Sequence, residues 1–449
     1  MAANYNKLWK ILIDRNIRKE DLRVAAGITT TAMAKLGKNQ PVHMEILLKI
    51  CKVLDCQIED VVEITEDVID KAKKIKDAND DIRKIDDILN DSTSFHHKAD
   101  TLYTCYKRIQ SREKRAKEKR NIMNTRYLIV TDYFENDGIR DVADDIQRLI
   151  DENPNRVLFF PDGVYNLSKP ILTPAAPKTS VCLQLSMYAV IRPHTDWNSD
   201  EALIRLGAKE PANDIHTIGS NYYLEGGIID GGGFANGVSI DGGRETSIRN
   251  VSIKHTKIGI HIKYGANYGS SDADIFGVNI VGNNARGSIG VLVNGWDNTF
   301  TNMRIDMVQT GFLINSSGNI FRNLHPLYES ETFDHYLDSR GFLDNGGSNF
   351  YDTCYSDQFC YGFEIAAGKK NIYSNCFTYW YTERGGKFGG FKANGKFESV
   401  VNGLRFSYAR PAEYTAVLSV DEDGGDGKMS NLAIANEDTV TDKSYKKYL

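Results

Sequence analysis

The chain has 449 residues, enough for two or three domains. Hydrophobic residues make up 41% and the formal net charge is −5, which suits globular structure and excludes a general polyanion binder, so any nucleic-acid contact must be local. No run is long enough to span a bilayer, the N-terminus lacks the apolar core of a secretion signal, and seven cysteines occur without a CxxC pair, so a reduced, cytoplasmic protein is expected.

Residues 5–64 read as a compact helical unit. Tyr5, Leu8, Trp9, Leu12 and Ile13 share one helical face. Lys19 to Ala26 predicts a second helix, ended by Gly27. Ile28 is expected to be buried, and Thr29 caps a third helix running to Lys38. Met44 to Leu54 predicts a fourth helix with Ile46, Leu47, Ile50 and Leu54 inward, and Ile58, Val61 and Val62 predict a fifth. Leu22, Ala26, Gly27, Ile28, Met33 and Leu36 have the spacing of a helix-turn-helix. On these residues the stretch resembles the Cro/C1-type family of DNA-binding domains. Arg23 departs from that pattern, since a small residue is usual there, and its head is expected in solvent. The resemblance implies that the third helix enters the major groove of double-stranded DNA. The matching exposed positions are Thr30, Thr31, Ala34, Lys35 and Lys38, with Asn39 following. Thr and Ala suit base edges and thymine methyls, and Lys suits phosphate or guanine.

Residues 65–123 change character. Ile75, Ala78, Ile82, Ile85 and Leu89 keep a three-four spacing, a short coiled-coil seam. A further helix is predicted over Lys98 to Arg120, with a basic end from Arg112. This predicts a helical stalk or linker over 67–123, and self-association into a homo-oligomer if the seam pairs. A solvated charged linker is the alternative.

From Tyr127 the pattern turns to strands. Ile139, Val142, Ile146, Leu149 and Ile150 predict an amphipathic helix ahead of the strand Arg156 to Phe160. Then one phrase keeps returning: Gly237-Val238-Ser239-Ile240, Gly259-Ile260-His261-Ile262, Gly290-Val291-Leu292-Val293, Gly311-Phe312-Leu313-Ile314, Gly341-Phe342-Leu343-Asp344 and Gly362-Phe363-Glu364-Ile365, with a weaker copy at Gly390. The steps alternate between about 21 and about 30 residues, the period of a stacked repeat. A second phrase carries a bend asparagine: Asn250, Asn302, Asn323, Asn375, Asn402 and Asn431, with Gly277 and Thr353 substituting in two coils. Strands and a bend at this period predict a solenoid with coils about 4.8 Å apart, its open end covered by the helix near 139–150. The helix with Asp144-Asp145-Ile146-Gln147, then Phe160-Pro161-Asp162-Gly163-Val164-Tyr165, the phrase around Gly226-Gly227 and the coils together resemble the pectate-lyase-like superfamily. The fold class is therefore multidomain: an all-α helix-turn-helix head over 1–66, an α-helical stalk over 67–123, and an all-β right-handed parallel β-helix over 124–449.

The superfamily implies processing or binding of acidic or complex polysaccharides. The paired Asp-Asp and Gly-His-Gly of its hydrolases are absent at matching positions, and its lyase Arg and Ca²⁺-binding acids cannot be placed. Register gives an independent argument. If the residue after each bend points inward, the position four past the bend points outward, giving Lys254, Asp306, Leu327, Asp357 and Tyr379 on aligned coils. Asp306 and Asp357 then lie two coils apart, roughly 9–10 Å, near the upper end for two carboxylates flanking a water. The insertion His325 to Arg340 adds Glu329 and His335 as candidate catalytic groups beside that pair. Tyr328, Tyr379, Trp380, Tyr381 and Arg384 are the candidate carbohydrate contacts, rings suited to sugar faces. Asp421 to Asp426 has the acids for Ca²⁺ without the spacing of an EF-hand, so an acidic turn is expected, and no metal or other cofactor is implied. Three readings remain: a cytoplasmic DNA-binding regulator whose β-helix recognises a carbohydrate or partner, a polysaccharide lyase or glycoside hydrolase, and a tailspike-like scaffold.

Overall fold

A computed structural model describes residues 3–40, 42–64, 127–174, 180–209, 223–265, 268–330, 332, 334–382 and 385–449. The predicted stalk and its seam, and Arg384, lie outside the described residues. The chain divides into two units, residues 1–120 and 121–449.

Among the described residues of the first unit five helices follow in order: α1 (Asn6–Asp14), α2 (Lys19–Ala25), α3 (Thr30–Gly37), α4 (Met44–Leu54) and α5 (Ile58–Val61). Their core is Tyr5, Leu8, Leu12, Leu22, Ala26, Ile28, Ala32, Leu36, Leu47, Ile50, Leu54 and Val61. Gly27 takes φ +59° after α2, a conformation that disfavours a β-carbon, and the Thr29 hydroxyl accepts the Ala32 N–H at 3.1 Å to cap α3. Two details differ from the sequence reading. Ile13 is 77% exposed, because α1 ends one residue later and its inner stripe is Leu8 and Leu12. The Arg23 head is also not free: it bridges Glu20 at 2.6 Å and donates to the Ile28 carbonyl at 3.3 Å, which ties α2 to the turn.

The second unit is a stack of coils. One sheet of ten strands and one of nineteen run along it, and the strand pairs within both are parallel. From Gly237 to Gly362 the repeated glycine is the second residue of its coil's strand in the ten-stranded sheet. A β-carbon built on Gly237, Gly259, Gly290 or Gly311 would stand 2.5–2.6 Å from the carbonyl oxygen of the corresponding glycine one coil on. The phrase needs glycine for close backbone approach, so its recurrence marks the coil spacing itself. The residue after it feeds the core. Phe312, Phe342, Phe363 and Phe391 stack at 5.0, 4.9 and 4.8 Å, and Phe300, Phe321, Tyr351 and Tyr373 form a second ladder at 5.2, 4.8 and 4.5 Å.

The bends are left-handed as expected, with φ from 49° to 56° at Asn250, Asn302, Asn323, Thr353, Asn375 and Asn431. Asn323 donates its amide to the Asn302 side chain at 2.7 Å, one coil away. In the Val401 coil the bend residue is Gly403 at φ +81°, one position after the predicted Asn402, because Ser374 pairs with Asn402 and so puts Gly403 beside Asn375. A second asparagine ladder, unseen in the sequence reading, lies inside: Asn298, Asn319, Asn349 and Asn371 are buried, and each accepts a backbone N–H from the preceding coil at 2.9–3.0 Å.

The end of the solenoid is covered by α6 (Ala143–Glu152), whose Ala143, Ile146, Leu149 and Ile150 join the coil core. Gln147 accepts the Leu172 N–H at 2.8 Å and donates to the Leu172 carbonyl at 3.0 Å, so its carboxamide pairs the backbone of an end strand. Ile139 is not part of this helix. It sits exposed in the strand Asp137–Asp141, which interrupts the predicted apolar spacing.

Candidate functional site

In the N-terminal unit, Thr30, Thr31, Ala34 and Lys35 on α3, and Lys38 just past its end, are all exposed, while Ala32 and Leu36 point into the core. The helix thus presents two hydroxyls, a methyl and two cations on one face, the inventory for reading a groove and meeting phosphate.

In the second unit the register places the predicted outward positions side by side. Asp230 pairs with Lys254, Lys254 with Val281, and Val281 with Asp306. Ile305 pairs with Pro326, so Leu327 follows Asp306, and Leu327 bridges Asp357, which pairs with Tyr379. All of these side chains are half-buried on the outer face. Asp306 and Asp357 are two coils apart with Leu327 between them, about 10 Å at the spacing of parallel strands.

The surroundings of the two acids differ. Burial raises the Asp306 carboxyl above its usual range, and the nearby Glu329 carboxyl, within hydrogen-bonding reach, adds to the rise. The Met307 N–H, donating to Asp306 Oδ1 at 2.7 Å, and the adjacent His325 oppose it. Asp357 Oδ2 instead accepts the Tyr355 hydroxyl at 2.9 Å and lies 3.6 Å from His325 Nε2. Burial and the Asp357 charge keep the Tyr355 phenol protonated, so it remains a donor. Asp357 Oδ1 and His325 Nε2 are buried atoms with no hydrogen-bond partner among the described residues. Beside the acids runs a ladder of rings: His325 on Tyr355 at 4.1 Å, Tyr355 on Phe377 at 4.5 Å, and the Arg405 guanidinium 5.5 Å from Phe377. Tyr379 lies 6.0 Å from Phe377.

The structure therefore brings Asp306, Glu329, Asp357 and Tyr379 together with Phe377, the first ring of the aromatic run 377–381, and adds His325 and Tyr355, to which the sequence assigns no role. It separates three others. His335 is buried, its Nδ1 3.1 Å from the Tyr328 hydroxyl and its Nε2 3.2 Å from the Asn284 carbonyl, so it anchors the insertion and is not available to the acids. Tyr328 is buried against His335, Tyr336 and Phe359 and offers no face to a sugar. Trp380 is 1% exposed and donates its Nε1–H to the Phe359 carbonyl at 2.7 Å, a core residue. Tyr381 is exposed. The acidic turn near 421–426 meets lysines: Lys447 reaches Asp423 at 2.6 Å and Lys370 reaches Asp426 at 3.3 Å. Among the described residues no cluster of three or more His, Cys, Asp or Glu is arranged to hold a metal ion, and no helix is long and apolar enough to cross a membrane.

Comparison with known proteins separates the two units in the same way. Residues 7–67 match the family described as the Cro/C1-type HTH DNA-binding domain. The transcriptional regulator VanUg is 48% identical over 14% of this chain and 83% of its own, with a TM-score of 0.14. No curated protein matches. ORF18 of Geobacillus virus E2 is 16% identical over 70% of this chain and 63% of that one, with a TM-score of 0.50. A tailspike protein of E. coli bacteriophage HK620, in a mutant form, is 12% identical over 70% of this chain and 64% of that one, with a TM-score of 0.53. The chain thus spans less than two thirds of either phage protein, and at these identities the likeness is one of fold. Residues 7–67 are a Cro/C1-type helix-turn-helix DNA-binding domain, and they precede a unit with the parallel β-helix fold that is also found in a phage tailspike.

Proposed function

We propose that this protein is a DNA-binding regulator whose β-helix recognises a saccharide along its outer face. The observation that carries the second half is the outward row itself: acids at Asp306, Glu329 and Asp357 beside Tyr379 and the stacked His325, Tyr355 and Phe377. Acids accept hydroxyl hydrogen bonds and rings cover the apolar faces of sugars, so the row supplies both contacts a sugar chain needs. The test is calorimetric titration of the protein with a panel of polysaccharides. Tyr379→Ala should weaken binding by about 1–3 kcal/mol, since it removes a half-exposed ring without opening the core. Unchanged affinity would show that the sugar lies elsewhere.

For the head, the motivating feature is the exposed face of α3. Lys35→Ala should weaken duplex DNA binding and reduce the slope of log K against log salt by about 1, as one lost phosphate contact does. A mobility shift that is unchanged, with the domain folded, would remove α3 from the interface.

A second reading, glycoside hydrolysis, is favoured by the raised Asp306 carboxyl lying two coils from Asp357. A carboxyl raised above its usual range, two coils from a second acid on the same row, is the kind of pair that inversion uses.

A further inference from the structure

We propose that Cys51 and Cys56 form a dithiol that a hydroperoxide closes to a disulfide, a reversible clip that stiffens the DNA-binding head and spares its α3 face.

The pair sits where α4 turns toward α5. Asp55 ends α4 in the left-handed conformation, at φ 46°, and the Cys56 N–H donates back to the Cys51 carbonyl at 3.2 Å. This is the six-to-one bond that closes a helix at a left-handed residue, and it sets the side chains of its two end residues against each other. Both thiols are free, Cys56 packs against the core that Cys51 helps to form, and the two sulfurs lie within hydrogen-bonding reach. A disulfide needs α-carbons about 4.4–6.8 Å apart, a span that two residues joined by a backbone hydrogen bond meet.

Anchors on both sides hold that geometry. The Arg15 guanidinium donates to the Leu54 carbonyl at 2.5 Å, and the Gln57 N–H donates to Asp60 Oδ2 at 2.9 Å in the capping box of α5. Thiols already held in contact lose little freedom on joining, so the second step of oxidation is fast once the first has occurred.

The two thiols differ in what reaches them. Cys51 is 8% exposed, and burial, with Cys56 beside it, pushes its thiol up to about 11. Cys56 is half-buried and lines a cleft of about 470 Å³ whose walls carry Lys7, Lys10 and Arg15 as well as Asp14, Asp55 and Asp60. A small neutral oxidant such as hydrogen peroxide meets Cys56 first. In its thiolate form the Cys56 sulfur attacks one peroxide oxygen, the O–O bond breaks, and the departing hydroxide takes up a proton to leave as water. Cys56 is then a sulfenic acid. The Cys51 sulfur attacks the Cys56 sulfur, the S–S bond forms, the S–O bond breaks, and the hydroxyl leaves as a second water with the Cys51 proton. Two thiols lose two electrons, and one peroxide becomes two waters.

The consequence is local. Neither cysteine is on α3, whose Thr30, Thr31, Ala34 and Lys35 are exposed. The clip fastens the end of α4 to the segment that runs through α5 to the strand Glu63–Ile64, which pairs with Ala3–Asn4. A cross-link there restrains the unfolded chain and resists opening of that segment. In a reducing compartment the pair rests as the dithiol, so the disulfide marks exposure to oxidant.

The full-length protein would be treated with hydrogen peroxide, with and without later dithiothreitol, and mapped by mass spectrometry after non-reducing digestion. Trypsin cuts at Lys52, between the two cysteines, so the link joins two peptides. The expected result is a Cys51–Cys56 link that dithiothreitol removes, slower hydrogen exchange over 50–64 in the oxidised form, and duplex DNA affinity within about twofold of the reduced form. In Cys51→Ala, dimedone should trap a sulfenic acid on Cys56. In Cys56→Ala, Cys51 should stay unlabelled. Absence of the link, a link from either cysteine to another in its place, unchanged exchange, or labelling of Cys51 in Cys56→Ala overturns the proposal. So does a loss of DNA affinity of about tenfold or more on oxidation, since the clip would then act on α3.

Discussion

Trp380→Ala is expected to cost the β-helix about 3–5 kcal/mol, as an effect on folding and not on ligand contact. The indole is 1% exposed, stacks on Phe388 at 4.6 Å and lies 5.3 Å from Phe406. Truncation opens a cavity between coils that cannot collapse without moving the strands on either side. It also strands the Phe359 carbonyl, which accepts the indole N–H at 2.7 Å in a dry interior. Trp380→Phe keeps most of the packing and loses only the donor, so about 1–3 kcal/mol is expected from it. Stacked repeats can unfold in parts, so the measurement is denaturant unfolding together with hydrogen exchange across residues 372–408. A cost under about 1 kcal/mol, with exchange unchanged, would contradict the buried placement.

On the hydrolase reading, Asp306→Asn and Asp357→Asn should each lower turnover by about 10²–10⁴-fold while leaving polysaccharide affinity largely intact, because the amide keeps shape and loses the proton. Asp306, with its raised carboxyl, is the candidate acid, and Asp357, which accepts the Tyr355 hydroxyl, is the candidate base. The same shift has a stability signature that needs no substrate. Asp306 holds its proton more tightly folded than unfolded. Its contribution is then fully present below the ordinary carboxylate range, about pH 4, and is lost as pH rises through the raised folded value. Asp306→Asn should flatten the stability curve above about pH 4 and leave stability at neutral pH equal or higher. Full turnover in either variant would remove the pair from catalysis. A pH profile of unfolding identical to the parent would remove the raised Asp306 carboxyl.

The outward row was legible because the bend residue is also a register mark. Asn302 and Thr353 have positive φ, and counting four from each reaches Asp306 and Asp357. The same count places Trp380 five past Asn375, on the inward side, and Tyr328 five past Asn323, likewise inward. Aromatic composition had been allowed to outweigh alternation at both, and alternation won because a strand pinned on both sides cannot rotate a single residue outward. His325 lies two past Asn323 and was reachable by the same rule, but its position at the start of an insertion hid it. Arg192 was not reachable: its coil has no bend asparagine, and its link to the row appears only through the pairing of Ile191 with Ile229, which sets it beside Asp230. His335 sits in an insertion without periodicity, where spacing says nothing about direction. The head is legible in the sequence because the Gly27 turn ends α2 and the Thr29 cap starts α3, which fixes two helices at once.

The coil that carries Leu327 acts as a spacer between Asp306 and Asp357. In a solenoid the gap between two groups on a row is a whole number of coils and nothing between. Excising that coil in register would bring the two carboxyls from about 10 Å to about 5 Å, from the separation associated with inversion to the one associated with retention. On the hydrolase reading, the stereochemical outcome of bond cleavage would thus be an integer property, open to change by gain or loss of one repeat in a single recombination event and closed to gradual drift.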